Sequence, residues 1–126
     1  MKIVKTLAVL TVLGSPAVAD QQAVASELLA MWQPQSVAID GGVLTVVLPQ
    51  NRISEEMYMA VLTSGLCLGF ALDKPLNGLS GVEVLNQYAR QGYVLEHGLA
   101  PCETWNGRPV GSKTTYYEIL GATHLY

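Results

Sequence analysis

Between Asp20 and Trp32 the apolar residues Val24, Leu28, Met31 and Trp32 recur at helical spacing, with Ala25 and Leu29 beside them. That period predicts a first helix. It stops at Gln33, because Pro34 disfavours helical backbone in the residue before it. From Ser36 onward the period changes to two: Val37 and Ile39 share a face, and so do Leu44, Val46 and Leu48. A two-residue turn at Gly41-Gly42 would pair Ile39 with Leu44 and Val37 with Val46. Glycine supplies the positive φ such turns require, so a hairpin closed by Pro49 is expected.

A second helix is expected over "RISEEMYMAVLTSGLCLGF". Ser54 suits its N-cap, and Glu55 and Glu56 fall where the helix dipole favours negative charge. Met57, Val61, Ser64 and Leu68 form the expected inward stripe, with Ala60 alongside. Gly65 and Gly69 either end this helix near Leu66 or let another element approach closely, and Cys67 sits at its C-terminal end. Pro75, Asn77-Gly78 and Ser80-Gly81 then mark a loop.

Residues 82–91 fit two patterns. As a helix, Ser80 and Glu83 form a capping box, Leu85, Tyr88 and Ala89 make a stripe, and Gly92 ends it. As strands, Val82 and Val84 line one face and Tyr93-Val94-Leu95 returns after a turn near "ARQG". The hairpin is preferred, since β-branched and aromatic residues bracket a short glycine-containing connection. "TTYYEIL" is expected as a last strand, with Tyr117 and Ile119 on one face and Tyr116, Glu118 and Leu120 on the other. The sum is one α+β domain, residues 20–126, in which two helices cover one face of a mainly antiparallel sheet.

The first nineteen residues stand apart from this domain. Lys2 and Lys5 precede a short apolar run from Thr6 to Leu13, Gly14-Ser15-Pro16 breaks it, and Ala17-Val18-Ala19 offers small residues before Asp20. These are the parts of a secretory signal peptide, and the run is about half the ~20 residues a spanning helix needs. The expected product is periplasmic or secreted, with no transmembrane segment after cleavage. Of the 126 residues 107 then remain, and with two of the seven basic residues gone, five face ten acidic ones for a net charge of −5. An acidic domain without a basic stripe lacks the footprint of a nucleic-acid binder and has no attraction for an anionic membrane surface. Charged residues make up 13% of the chain and hydrophobic ones 50%, which is a folding composition.

Export bears on the two cysteines. Cys67 and Cys102 would meet oxidising conditions, where an even count favours pairing. Closing a loop of this length is worth about 4 kcal/mol in the chain-entropy model. A nucleophilic cysteine would need a neighbouring cation to lower its pKa. Gly65, Leu66, Leu68 and Gly69 offer none to Cys67.

Catalytic and metal signals are sparse. Glu55 and Glu56 resemble a carboxylate pair, but adjacent helical residues point about 100° apart and do not converge on one atom. His97 and His124 belong to no zinc-ligand spacing, and no glycine-rich phosphate loop is present. No cofactor and no catalytic residue is assigned. Binding has the better claim: in "CETWNGRP", Trp105 and Arg108 flank an Asn106-Gly107 turn that the Cys102 bridge would hold rigid. Aromatic and arginine side chains on a fixed loop suit an interface.

The helix–hairpin–helix–hairpin order, with "VAIDGGVLTVVLP" and "GVEVLN" opening its strands, resembles the BON domain of exported bacterial proteins over about residues 24–97. That resemblance implies two αββ halves and binding at cell envelopes or phospholipid surfaces. The two cysteines and the longer loop before Gly81 depart from it, and no functional residue is carried over. The expected role is a non-catalytic binding or accessory domain acting on a protein partner or envelope component. The alternatives are a small secreted hydrolase using His97 or His124 with Glu96, or a secreted inhibitor or immunity-type protein.

Overall fold

The computed structural model describes residues 16–103 and 113–126. Helix α1 (Pro16–Leu28) is followed by a 3-10 turn at Ala30–Trp32, and Gln33, at φ 50°, ends the helical run just before Pro34. Strands β1 (Ser36–Asp40) and β2 (Val43–Val47) form the expected hairpin, with Ile39 opposite Leu44 and Val37 opposite Val46. Gly41 and Gly42 have φ of 59° and 84°, the positive pair that a two-residue hairpin turn needs.

Helix α2 (Glu55–Val61) is capped as its sequence predicts, the Ser54 hydroxyl accepting from the Met57 N–H at 3.1 Å. It continues through a π-turn at Leu62–Leu66 into the short helix α3 (Leu68–Ala71). Its inward face differs from the expected stripe. Tyr58, Val61, Leu62 and Leu66 are fully buried, whereas Ser64 and Leu68 are exposed and Met57 is only half-buried. The run "MYMAVL" is apolar on nearly every side, so its composition leaves the phase open and tertiary packing decides it.

Gly65 and Gly69 do not end the helix; they admit neighbours. A β-carbon at Gly65 would lie 2.9 Å from the Leu29 side chain, and one at Gly69 would lie 2.5 Å from the Lys74 carbonyl oxygen. The π-turn also sets the bridge. The Cys67 N–H donates to the Leu62 carbonyl, five residues back, at 2.7 Å. The extra residue places Cys67 beneath Leu62, where it joins Cys102 on α4 (Ala100–Glu103) in a disulfide with a Cα–Cα distance of 5.0 Å. Both cysteines are fully buried.

Residues 82–91 resolve as the hairpin reading: β3 (Gly81–Leu85) and β4 (Gly92–Glu96) pair antiparallel, with Val82 opposite Leu95. Asn86 orders the intervening turn, its Oδ1 accepting from the N–H groups of Arg90 and Gln91 at 2.9 and 3.1 Å. Strands β2 and β3 are parallel, a pairing that requires a crossover, here supplied by α2 and α3.

The last segment corrects the sequence expectation. "TTYYEIL" lies in helix α5 (Lys113–Gly121), not in a strand. Thr115 and Ile119, one helical turn apart, are buried, while Tyr117, expected to share a face with Ile119, is 64% exposed. Packing of a 3.6-residue period overrides the β-propensity of Thr and Tyr. The closing strand is instead β5 (Thr123–Leu125), and the sheet order is β1-β2-β3-β4-β5 with three antiparallel pairings and one parallel. Leu44, Val46, Val82, Val84 and Leu95 turn one face of this sheet into the core beneath the helices. Register places Thr45, Glu83, Val94 and His124 together on the opposite face.

Candidate functional site: the C-terminal sheet edge

The five-stranded sheet has two edges, and they differ. At β1 the N–H of Ile39 is taken by Gln22 Oε1 from α1 at 2.8 Å, so a side chain occupies one position of that edge. At β5 the Glu96 N–H donates to the Ala122 carbonyl at 2.8 Å, and the Tyr126 N–H to the Gly92 carbonyl at 3.1 Å. Val94 pairs with His124 between them. The alternation of an antiparallel ladder then turns the backbone groups of Thr123 and Leu125 outward. No described residue pairs with their N–H groups. Such a row is a template for another strand.

Side chains hold this edge from within. Tyr58, in the first half of α2, lies 2.6 Å from the Thr123 hydroxyl, which donates onward to the Ile119 carbonyl at 2.6 Å. Since the Thr123 proton is committed, the Tyr58 phenol is the donor in the first contact. Burial pushes that phenol up to about 12, against the opposing effect of the Thr123 hydrogen bond. The Tyr58 ring stacks on Tyr93 with centroids 4.9 Å apart, and Tyr93 faces Leu125 across the ladder. Tyr116 on α5 donates to Glu55 Oε2 at 3.1 Å, and this bond to a carboxylate raises its phenol above the ordinary value. Glu55 thus serves the join between α5 and α2. Outside this frame Leu125 is 72%, Tyr126 53% and Tyr117 64% exposed, far more than large apolar side chains in the core. Tyrosine and leucine around unpaired backbone have the makings of a polypeptide contact.

The histidines lie beside this edge. His124 Nδ1 is 2.7 Å from Glu96 Oε2, and His97 Nε2 is 4.0 Å from Glu96 Oε1. The side chains of both histidines are more than half exposed. Among the described residues no hydroxyl or thiol bonds either imidazole, and no three His, Cys, Asp or Glu side chains gather to hold a metal ion. Glu96 and His97 border a shallow cleft of about 290 Å³ with Ala100, Pro101, Glu118 and Ala122. Two others, of about 190 and 240 Å³, lie around Gln21. All three fall below the roughly 300–1,000 Å³ of small-molecule pockets.

Trp105 and Arg108, the binding residues expected from the sequence, lie outside the described residues. Cys102, three positions before Trp105, is bridged as expected. Sequence reasoning missed Thr123, Leu125 and Tyr126, because a three-residue strand carries too few positions to display a period. No helix among the described residues is long and apolar enough to cross a membrane. Comparison of the chain with protein-family models, with curated proteins and with solved structures found no match.

Proposed function

We propose that this chain is an exported, non-catalytic binding or accessory domain that engages a protein partner of the cell envelope or exterior through its open β5 edge. The observation that carries the reading is a difference between the sheet edges: Gln22 takes the Ile39 N–H at β1, whereas the N–H groups of both Thr123 and Leu125 have no partner among the described residues and lie amid exposed Tyr117, Leu125 and Tyr126. A buried disulfide supports an oxidising compartment. The leader pattern of residues 1–19 supports periplasmic or secreted delivery. The succession of α1, a hairpin, α2 and a second hairpin supports the proposed kinship with BON domains. Trp105 and Arg108 remain proposed contacts.

Affinity capture from the exported fraction tests this reading. Leu125→Pro deletes one outward N–H while leaving the ladder to β4 intact, because proline is tolerated on an edge strand. A partner retained by the native chain should be lost by Leu125→Pro and weakened by Trp105→Ala with Arg108→Ala. Undiminished capture by these folded variants would remove the proposal.

One contact favours a second reading, a small secreted hydrolase: the 2.7 Å approach of His124 to Glu96. Ester or amide hydrolysis that disappears with His124→Ala would establish it. The exposure of the pair and the lack of a bonded hydroxyl among the described residues favour the binding role.

A further inference from the structure

The loop between α3 and β3 carries an Asn-Gly pair that the binding role does not use. Of the three asparagines among the described residues, Asn51, Asn77 and Asn86, only Asn77 precedes a glycine. Asn77 and Gly78 are both exposed. Gly78 has φ +77°, and a β-carbon placed on it would meet nothing within 4 Å. Neither the Asn77 side-chain amide nor the Gly78 N–H has a hydrogen-bond partner among the described residues.

The other two asparagines are held. Asn86 Oδ1 accepts from the N–H groups of Arg90 and Gln91, and its Nδ2 donates to the Asn51 carbonyl at 2.8 Å. The main-chain nitrogen after it, on Gln87, donates to the Gln50 carbonyl at 2.9 Å. Asn51 Oδ1 accepts from Gln87 Nε2, and the bulky Arg52 follows it. At Asn86 both the electrophile and the potential nucleophile are occupied; at Asn77 neither has a partner among the described residues.

We propose that Asn77 is a self-modifying site at which Gly78 converts the neutral amide into a carboxylate. The Gly78 nitrogen gives its proton to solvent base and attacks Asn77 Cγ. The new C–N bond closes a five-membered succinimide, and the side-chain nitrogen leaves as ammonia. Water then opens the ring at either carbonyl, giving aspartate or isoaspartate. The net change is one water consumed, one ammonia released and one negative charge gained, with no oxidant, metal or enzyme. Glycine is the residue that permits it, because no side chain crowds the attacking nitrogen.

The position gives the change a structural consequence. The Asn77 N–H is anchored by Gln21 Oε1 at 3.2 Å, and the Ser80 N–H by the Gly42 carbonyl at 2.8 Å. Ring opening to isoaspartate adds a carbon to the main chain between these anchors, so the segment they hold lengthens. Conversion also gives this loop a negative charge as the folded chain ages.

Peptide mapping by mass spectrometry tests this on the full chain, folded and oxidised, incubated at neutral and mildly alkaline pH. The expected result is conversion of amide to carboxyl at Asn77, faster at the higher pH, while Asn51 and Asn86 stay intact. Gly78→Ala should slow the reaction severalfold. Asn77→Gln, whose longer side chain disfavours the five-membered ring, should stop it with the fold retained. Absence of conversion at Asn77 in the folded chain, or conversion of Asn51 at an equal rate, would overturn the proposal.

Discussion

The Tyr58 phenol donates to the Thr123 hydroxyl across 2.6 Å, joining the second helix to the last strand over 65 residues of sequence. This bond, the Tyr58–Tyr93 stack and the Tyr116–Glu55 bond are what fasten a three-residue strand firmly enough to present an edge.

Tyr58→Phe should therefore cost about 1 kcal/mol, the usual worth of a buried hydrogen bond. It should act on β5 more than on the rest of the sheet. Hydrogen exchange at the Tyr126 N–H, which bonds Gly92, should accelerate more than exchange at β2 and β3.

The same side chain predicts an alkaline limit. Its folded pKa, pushed up to about 12 from 10.0, means the folded state holds the phenolic proton more tightly than the unfolded chain. Stability from this group is complete below pH 10 and declines as pH rises from 10 towards 12. Denaturant titrations at stepped pH should show that decline in the native chain, and Tyr58→Phe should flatten it.

Removal of the Cys67–Cys102 bridge, by Cys67→Ser with Cys102→Ser, should lower stability by about 4 kcal/mol for a 35-residue loop. Both sulfurs are fully buried, so a reductant should act on the native chain only slowly. Thiol alkylation during a denaturant series gives both quantities.

Gly69→Ala should destabilise by about 1–3 kcal/mol, because the new methyl would lie 2.5 Å from the Lys74 carbonyl, backbone that cannot swing aside. Gly78→Ala, in open space, serves as its comparison: φ +77° is strained for alanine, but no contact is violated. Thermal melts of the two variants separate close approach from backbone preference.

Much of the core was legible in the sequence because its signals were local. Two glycines of positive φ fix the first hairpin's register, so Ile39 and Leu44 could be paired from the sequence alone. Ser54 marked the start of α2, and two cysteines in a chain with a leader-like start implied one bridge. The inward phase of α2 was not legible, since Met57, Tyr58, Met59 and Val61 offer a choice of apolar faces. Thr115, Tyr116 and Tyr117 carry strand propensity, yet Ile119 docks α5 as a helix. The candidate site depends on topology: nothing local reveals that Gln22 reaches Ile39, or that Leu125 borders an unpaired edge.

Mass spectrometry of the chain recovered from its native source tests most directly whether this is a delivered and oxidised domain. A mass beginning at Asp20, two hydrogens short of the dithiol and blind to alkylating reagents until denatured and reduced, is the predicted result. A product that retains Met1 and carries two free, alkylatable sulfurs would contradict both the export and the clamped architecture on which the binding edge rests.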